Sequence, residues 1–343
     1  MQGDREGMDF AALIKGTGAR LIDPSMGGTR ICDITDDSRS VMPGSLFIAR
    51  PGTNTDGRTH IPDAIRAGAD AILTTAGTHD DQYTHLHVPW AETDDIAIDT
   101  AHVAERFFGN PASKLTLLGT TGTNGKTTVS HLVHRLLRDA ARIPTGLIST
   151  VEIDDGERPC PASLTTPGAI ELSYTLASML ENRLRAAAVE VSSHALDQQR
   201  VGGLDFDVAI FTNLSGDHLD YHVTMESYAR AKSRLFSMLR PDALAIINVD
   251  DAHAKTMLDA CAADNIVTCS MNGAGDCNAT ITDEHRAGTH IRFTGPGFDF
   301  EARIPLVGAH NAMNALQSLI AYRHVAGGSA DLPDACAHLI PTT

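Results

Sequence analysis

The sequence predicts an α/β fold in which a small N-terminal domain precedes a larger domain built on a mostly parallel sheet. The chain has 343 residues, which exceeds one average domain of about 150 residues. Hydrophobic residues make up 42% of it and charged residues 20%, an ordinary composition for folded domains. From Lys114 onward, short β-rich runs alternate with helical periods, which is typical of a sheet covered on both faces.

The first domain is assigned to residues 1–110. Two apolar runs, SLFIAR (45–50) and DAILTT (70–75), flank the amphipathic segment HIPDAIRAGA (60–69), which favours a small α/β unit. The segment FFGNPASK (107–114) is rich in Gly, Asn and Pro, so we expect a linker there.

The second domain is assigned to residues 111–328, and 329–343 to a linker. Its strand candidates are LTLLG (115–119), TGLIST (145–150), AAAVEV (186–191), DVAIFTN (207–213) and ALAIINV (243–249). Helices are expected to begin near Thr127, Gly168, Met225 and Asp251. Between Asn278 and Ile304 the pattern changes to three strand-like pieces, which predicts an antiparallel extension, and the helix HNAMNALQSLIAYRHV follows.

Net charge and cysteine spacing exclude several classes of protein. A net charge of −16 argues against non-specific nucleic-acid binding, which requires clustered Lys and Arg. There is no apolar run of 18 residues, and the N-terminus carries acids, so we expect a cytoplasmic protein without membrane insertion. We also expect a monomer. The six cysteines form no CxxC pair, which favours reduced, structural thiols.

The segment GTTGTNGKTT (119–128) lies between a strand candidate and a helix candidate, as a phosphate-binding loop does. Glycines let backbone amides approach phosphates, a lysine neutralises the β- and γ-phosphates, and a hydroxyl binds Mg²⁺. The residues expected to bind ATP are Gly122, Thr123, Asn124, Gly125, Lys126, Thr127 and Thr128. The strict pattern requires glycine at position 120, where this chain has Thr120. The alternative is a glycine-rich turn with an incidental surface lysine.

The loop variant TGTNGKTT resembles the Mur ligase superfamily of ATP-dependent amide ligases more than GTPases or motor ATPases, and the guanine-specific motif NKxD does not occur. Further segments, in order, resemble the MurE branch, the UDP-N-acetylmuramoyl-tripeptide synthetases. They are DDSRSVMPGSLFIARPGTNTDGRTHIPDAI (36–65), TTPG (165–168), EVSSHALDQQRV (190–201), FTNLSGDHLDYHVTMESYARAKSRLF (211–236) and GAHNAMNAL (308–316). The resemblance therefore extends from Asp36 to Leu316.

This resemblance implies an N-terminal domain that holds the UDP end of the substrate and a central ATP-binding domain. The implied reaction adds a free amino acid, meso-diaminopimelate or otherwise L-lysine, to UDP-N-acetylmuramoyl-L-alanyl-D-glutamate through an acyl phosphate, for peptidoglycan synthesis. The family's C-terminal Rossmann-like domain, which supplies the amino-acid site, is expected to be absent from this chain. We therefore expect the chain to bind nucleotide and to show little or no ligation.

The resemblance also assigns the catalytic and metal-binding residues. Lys126 neutralises phosphate, and Thr127, Glu190, His218 and Lys232 serve two Mg²⁺ ions, with Lys232 carboxylated to an anion that can bind metal. Judged from the residues alone, Glu190 could be a strand-end carboxylate, His218 a structural histidine and Lys232 a solvated lysine. Zinc spacing between His218 and His222 is disfavoured because no helix is evident there and no third ligand lies nearby.

Substrate contacts follow from the same resemblance. Asp36, Ser38, Thr53, Asn54 and Thr55 match positions that hold uridine diphosphate, although such residues also build turns. The positions that surround the muramoyl dipeptide match Thr165, Thr166, Ser192, Gln198 and Arg200. The family commonly has Asn before the two threonines, where this chain has Leu164, which removes one expected polar contact.

Other functions remain open at this stage. Another ligase of the superfamily, such as folylpolyglutamate synthetase, is disfavoured by the DSR and EVSSH segments. A module that binds nucleotide and UDP-substrate without completing catalysis is the alternative from a different class. A motor or GTPase switch is disfavoured by the loop spacing.

Overall fold

The computed structural model describes residues 7–52, 55–80, 83, 86–217, 219–328 and 330–340. The chain divides into two compact units. The first comprises residues 1–110 and the short segment Ala169–Tyr174, and the second comprises Pro111–Gly168 and residues 175–343. The sequence division places Ala169–Tyr174 in the second domain, whereas these residues cluster with the first unit.

The first unit is a small α/β domain. Its strands are β1 (Met8–Asp9), β2 (Arg20–Leu21), β3 (Arg30–Ile31), β4 (Asp33–Thr35), β5 (Ser45–Ala49), β6 (Ala69–Thr75) and β7 (Trp90–Thr93). Its helices are α1 (Phe10–Leu13), α2 (Ile61–Ala67) and α3 (Ile96–Phe107). Across the described residues the main sheet has the order β2-β7-β6-β5-β4. Strands β4 to β7 run parallel, and β2 is antiparallel to β7.

Local sequence explains the central elements of this unit. Strand β5 is buried along its whole length, which accounts for the apolar run at 45–49. Helix α2 begins with Pro62 in its first turn and ends at Gly68, whose φ of +105° is readily adopted only by glycine. The strands and the helix expected between residues 45 and 75 are therefore present.

The second unit carries one large sheet. Its strands are β8 (Thr116–Thr121), β9 (Thr145–Ile148), β10 (Glu152–Asp154), β11 (Cys160–Pro161), β12 (Ala186–Glu190), β13 (Phe206–Phe211), β14 (Leu239–Asn248), β15 (Asn265–Ser270), β16 (Cys277–His285), β17 (Gly288–Gly295) and β18 (Phe298–Ile304). Its helices are α4 (Lys126–Arg135), the part of α5 (Ala169–Glu181) that follows Tyr174, α6 (Ser193–Asp197), α7 (Leu219–His222), α8 (Met225–Ser237), α9 (Ala254–Ala260), α10 (Ala309–Ala326) and α11 (Leu332–Ala335).

Strand order decides which loops meet. Within the described residues the order is β11-β10-β9-β12-β8-β13-β14-β15-β16-β17-β18. Strands β9, β12, β8, β13, β14, β15 and β16 run parallel, so β8 lies between β12 and β13 with all three carboxyl ends at one edge. Ligands of parallel α/β sheets bind at this edge. The phosphate-type loop follows β8 directly.

The antiparallel extension and the helix after it are present as predicted. Strands β16 to β18 pair antiparallel, and the apolar residues of α10 pack into the hydrophobic core that these strands also line. The assignment of 329–343 to a linker does not match the described residues of that segment. Leu332, Ala335 and Leu339 are buried in the core, so an apolar face fixes this segment to the unit. Among the described residues, no helix is long and apolar enough to cross a membrane.

Candidate active site

The loop between β8 and α4 has a shape that depends on two glycines. Gly122 has a φ of +154° and Gly125 a φ of +86°. A Cβ atom on Gly122 would lie 1.9 Å from the Thr212 hydroxyl, and one on Gly125 would lie 2.7 Å from Oδ1 of Asn314. Neither position has room for a side chain. Gly125 is also the N-cap of α4, whose first-turn amides are the groups that bind phosphate in such loops.

Residues after β13 hold this loop from outside. The backbone of Asn213 accepts the Thr123 amide at 2.8 Å. Its side chain binds the backbone of Asn124 twice, accepting the amide at 3.1 Å and donating to the carbonyl at 3.0 Å. The Thr212 hydroxyl donates to the same Asn124 carbonyl at 2.6 Å. These hydrogen bonds from the segment after β13 therefore hold the loop in its shape.

Lys126 begins α4 and folds back over the loop. Its ammonium donates to the carbonyls of Gly122 at 3.1 Å and Thr123 at 3.0 Å. Burial lowers the pKa of Lys126, and the carboxylates of Glu190 and Asp217 partly offset this. The lysine is thus next to the amides that would face a polyphosphate.

Glu190 ends β12 and is fully buried. Its carboxylate accepts the Thr150 amide at 3.1 Å and the Thr150 hydroxyl at 3.0 Å, and the Thr127 hydroxyl also bonds to it. Burial raises the pKa of Glu190, whereas these bonds and the charge of Lys126 lower it. A buried carboxylate beside a loop hydroxyl is the oxygen-rich arrangement that suits a divalent cation.

Lys232 lies on α8 and is 1% exposed, so it is not the solvated lysine that a helix position alone suggests. Its ammonium donates to the Gly122 carbonyl at 2.7 Å and lies 4.4 Å from the centre of the Tyr228 ring. Burial, followed by the charge of Lys126, lowers the pKa of Lys232 well below its ordinary value. Two lysines from distant parts of the chain therefore share one loop carbonyl.

The residues matched to the muramoyl dipeptide form a hydrogen-bonded group beside Glu190. The Thr166 hydroxyl donates to the Glu190 carbonyl at 2.7 Å and accepts the Ser192 amide at 3.1 Å. The guanidinium of Arg200 donates to the Thr166 carbonyl at 2.9 Å and to Oε1 of Gln198 at 2.7 Å.

Thr165 completes this group, because its hydroxyl accepts a hydrogen bond from the Thr150 hydroxyl at 3.1 Å. Ser192 caps α6 by accepting the Ala195 amide at 3.1 Å. The structure therefore brings all five residues matched to the dipeptide close to the carboxyl end of β12.

The described residues matched to uridine diphosphate, Asp36, Ser38 and Thr55, lie in the first unit, in the segments that follow β4 and β5. Asp36 accepts two hydrogen bonds from Arg50, at 2.8 and 2.6 Å. Ser38 lies in the turn after β4, and Thr55 is exposed before the short helical turn that Asp56 caps. Thr53 and Asn54 lie outside the described residues.

His218 also lies outside the described residues. The chain just after it forms the four-residue helix α7, so the expectation that no helix is present there is wrong. His222 is 7% exposed and packs its ring 5.0 Å from that of Tyr228. In the described part of the chain, which leaves out His218, no group of three or more His, Cys, Asp or Glu side chains is placed to hold a metal ion.

The cysteines are free thiols, as their spacing predicts. Cys269, Cys277 and Cys336 are buried, whereas Cys32 and Cys160 are exposed. Burial raises the pKa of Cys277 to about 11 and that of Cys336 to about 12, so these two thiols stay protonated at neutral pH.

Sequence analysis missed several residues of the site. Thr212, Asn213 and Tyr228 contact the loop, and Thr150 bonds to Glu190. The parallel-sheet rule offers a signal for the first two, because they directly follow β13, the strand next to β8. Asn314 lies beneath Gly125 and is 4% exposed.

Comparisons with known proteins agree with this geometry. Residues 120–322 match the Mur ligase middle domain, and residues 30–105 match the Mur ligase family catalytic domain. A UDP-N-acetylmuramoyl-L-alanyl-D-glutamate–2,6-diaminopimelate ligase from Synechococcus elongatus is 37% identical over 318 residues, which is 92% of this chain and 64% of that protein. A ligase of the same name from Gloeobacter violaceus is 40% identical over 292 residues, 84% of this chain and 58% of that protein.

A solved structure of a ligase of this name superposes with a TM-score of 0.83 at 28% identity, covering 97% of this chain and 66% of that one. This chain thus spans about 60% of the length of the curated relatives it matches.

Proposed function

The chain belongs to the Mur ligase family, and we propose that it forms the ATP-binding and acyl-acceptor part of a ligase that joins 2,6-diaminopimelate to UDP-N-acetylmuramoyl-L-alanyl-D-glutamate. The observation that carries this proposal is the convergence of Lys126 and Lys232 on the phosphate loop, where both donate to the Gly122 carbonyl. The names of the similar ligases support the choice of substrates. The reaction would serve peptidoglycan synthesis in the cytoplasm, with the chain acting as a monomer.

The proposed chemistry has two steps. A carboxylate oxygen of the dipeptide attacks the γ-phosphorus of ATP, the bond to ADP breaks, and an acyl phosphate results. The amine nitrogen of diaminopimelate then attacks the acyl carbon, phosphate leaves, and the nitrogen loses a proton. Such a transfer depends on alignment and charge stabilisation. Lys126 and the α4 amides would hold the phosphates, and Arg200 with the threonines near Glu190 would orient the acceptor.

Mg²⁺ fits the residues present. The Thr127 hydroxyl and the buried Glu190 carboxylate are hard oxygen donors, and Mg²⁺ usually takes one or two protein ligands together with phosphate and water. These two residues would hold the first ion, and His218 with carboxylated Lys232 would serve a second. Bound Mg²⁺ would neutralise charge on the transferring phosphoryl group.

Carboxylation of Lys232 is part of this proposal. The neutral amine nitrogen attacks the carbon of CO₂, one C=O electron pair moves to oxygen, and the nitrogen releases a proton to solvent. The low pKa of Lys232, caused mainly by burial, favours the neutral amine that this reaction needs. One N–H remains on the carbamate nitrogen, so the bond to the Gly122 carbonyl can persist.

The test uses the full chain and two lysine variants. We expect ATP to bind, and Lys126→Ala to weaken ATP binding about 10- to 100-fold, because hydrogen bonds to charged groups contribute about 1.5–3 kcal/mol. Lys114→Ala removes an exposed lysine outside the loop and is expected to leave the affinity unchanged. Isothermal titration calorimetry measures both.

Ligation is measured separately, as phosphate release that requires both the UDP-dipeptide and diaminopimelate. Phosphate release with L-lysine in place of diaminopimelate would show that L-lysine is the amino acid added. Release with folate and glutamate would favour the folylpolyglutamate alternative. Nucleotide binding with little or no release is the result expected of this chain, and robust release would overturn that expectation. A chain without affinity for ATP contradicts the proposal.

A further inference from the structure

Tyr228 lies where α8 faces the phosphate loop and is 0% exposed. Helix α8 starts with a capping box in which Thr224 and Ser227 bond reciprocally, so its first turn is fixed. Lys232 follows Tyr228 by four residues, which places both side chains on one face of the helix. A single turn of α8 therefore presents an aromatic ring and a lysine to the loop.

The Tyr228 hydroxyl contacts the loop directly. It lies 3.3 Å from the Thr123 hydroxyl. That Thr123 oxygen also accepts the Ser215 amide at 3.0 Å. A buried tyrosine hydroxyl generally has a hydrogen-bond partner, and here one partner belongs to the phosphate loop.

The Tyr228 ring contacts the loop indirectly, through Lys232. The Lys232 ammonium is 4.4 Å from the ring centre on one side and 2.7 Å from the Gly122 carbonyl on the other. The ring therefore covers the side of the lysine nitrogen that faces away from the Gly122 carbonyl, and it limits movement of that nitrogen whether the nitrogen belongs to an amine or to a carbamate.

We propose that Tyr228 is a positioning residue that holds the phosphate loop by two routes, its hydroxyl on Thr123 and its ring, through Lys232, on Gly122. These two loop residues are adjacent and come just before Asn124, whose backbone Asn213 binds. The consequence is tighter nucleotide binding, so the inference rests on the proposed nucleotide site.

A double-mutant cycle on the full chain tests the proposal, with dissociation constants for fluorescent ADP as the measurement. Tyr228→Phe removes the hydroxyl and is expected to raise the dissociation constant about 3-fold. Tyr228→Leu also removes the ring and is expected to raise it about 10-fold. In a Lys232→Met background the ring has no nitrogen to hold on the Gly122 carbonyl, so Tyr228→Leu is expected to raise the dissociation constant only about 3-fold.

Phe236 provides a matched control, because it lies two turns further along α8 and is also 0% exposed. Phe236→Leu is expected to lower the melting temperature and leave ADP affinity unchanged. Equal factors for Tyr228→Leu in both backgrounds would indicate a structural role and overturn the proposal, as would unchanged affinity in both tyrosine variants. If the wild-type chain binds no ADP, the proposed function fails, and the same cycle on melting temperatures still measures whether Tyr228 and Lys232 are coupled.

Discussion

The two units contain polar clusters at the same place in their sheets, but the clusters are held in different ways. In the first unit, Asp37 pairs with Arg39 and Asp56 with Arg58, each two residues apart. In the second, the Gly122 carbonyl is bonded by a lysine 110 residues away. In the first cluster the bonded residues are two positions apart, or 14 for Asp36 and Arg50, whereas the second cluster is held by contacts between residues about 90 to 110 positions apart.

This difference shows which cluster depends on contacts between distant parts of the chain. The pairs of the first unit are largely exposed, and such ion pairs contribute little to stability. The loop of the second unit is fixed by buried and half-buried bonds from β13 and α8, so a change in either segment alters the loop. Substitutions in the second cluster should therefore change stability and ADP binding more than substitutions in the first.

The largest effect is expected for Gly122→Ala. The new Cβ would lie 1.9 Å from the Thr212 hydroxyl, at a φ of +154° that L residues rarely adopt. Strain and overpacking together predict a loss of about 2–5 kcal/mol in the free energy of unfolding, with loss of ADP binding. Urea denaturation measures the free energy of unfolding, and titration with ADP measures the binding. The control Gly28→Ala meets no atom within 4 Å and should change neither.

A second effect depends on pH and concerns His131, on α4. Burial, followed by the charges of His134 and Arg135, lowers its pKa from 6.5 to about 4, and the partly exposed Glu152 carboxylate 3.5 Å away does not offset this. Because the unfolded chain binds the proton first, stability falls as pH drops from 6.5 toward 4.

His131 should account for a loss of about 2 kcal/mol at pH 4.5. His131→Gln should therefore flatten the acid side of the stability curve measured by denaturant unfolding. His60→Gln replaces a half-exposed histidine of the first unit and is the comparison. An unchanged curve for His131→Gln would contradict the assignment.

Asn213 and Asn278 allow a direct comparison of distant and local bonding. Asn213 binds the backbone of Asn124 at 3.1 and 3.0 Å, and Asn278 binds that of Gly275 at 3.2 and 2.9 Å in the same reciprocal pattern. Each alanine variant should cost about 1–2 kcal/mol of stability. Only Asn213→Ala should also weaken ADP binding, by about 3- to 10-fold. Equal ADP affinities in the two variants would show that Asn213 does not shape the loop.

The smallest effect is expected for Arg39→Gln in the first unit. The Arg39 side chain is 87% exposed and forms an ion pair with the side chain of Asp37, two residues earlier. Because solvent screens such a pair, the melting temperature should stay within error of the wild-type value in low and high salt. A clear drop at low salt would mean that this cluster, too, depends on the fold.

Sequence was most informative where structure is periodic or local. The β8 loop, the parallel strands and the antiparallel extension followed from apolar runs and glycine spacing, and the choice of Glu190 followed from the family resemblance. Periodicity could not show that Tyr228 and Asn213 contact the loop, because those contacts join residues about 90 to 105 positions apart. The segment 329–343, assigned to a linker, contains Leu332, Ala335 and Leu339, which are buried.

Gly122 and Thr212 restrict each other's evolution. A larger residue at 122 requires a smaller one at 212, yet the Thr212 hydroxyl also bonds to the Asn124 carbonyl, so shrinking it loosens the loop at a second point. A substitution at one of the two positions alone is therefore disfavoured, and a different pair of residues requires that both positions change together. Among homologues these two columns should therefore be either fixed together or exchanged together.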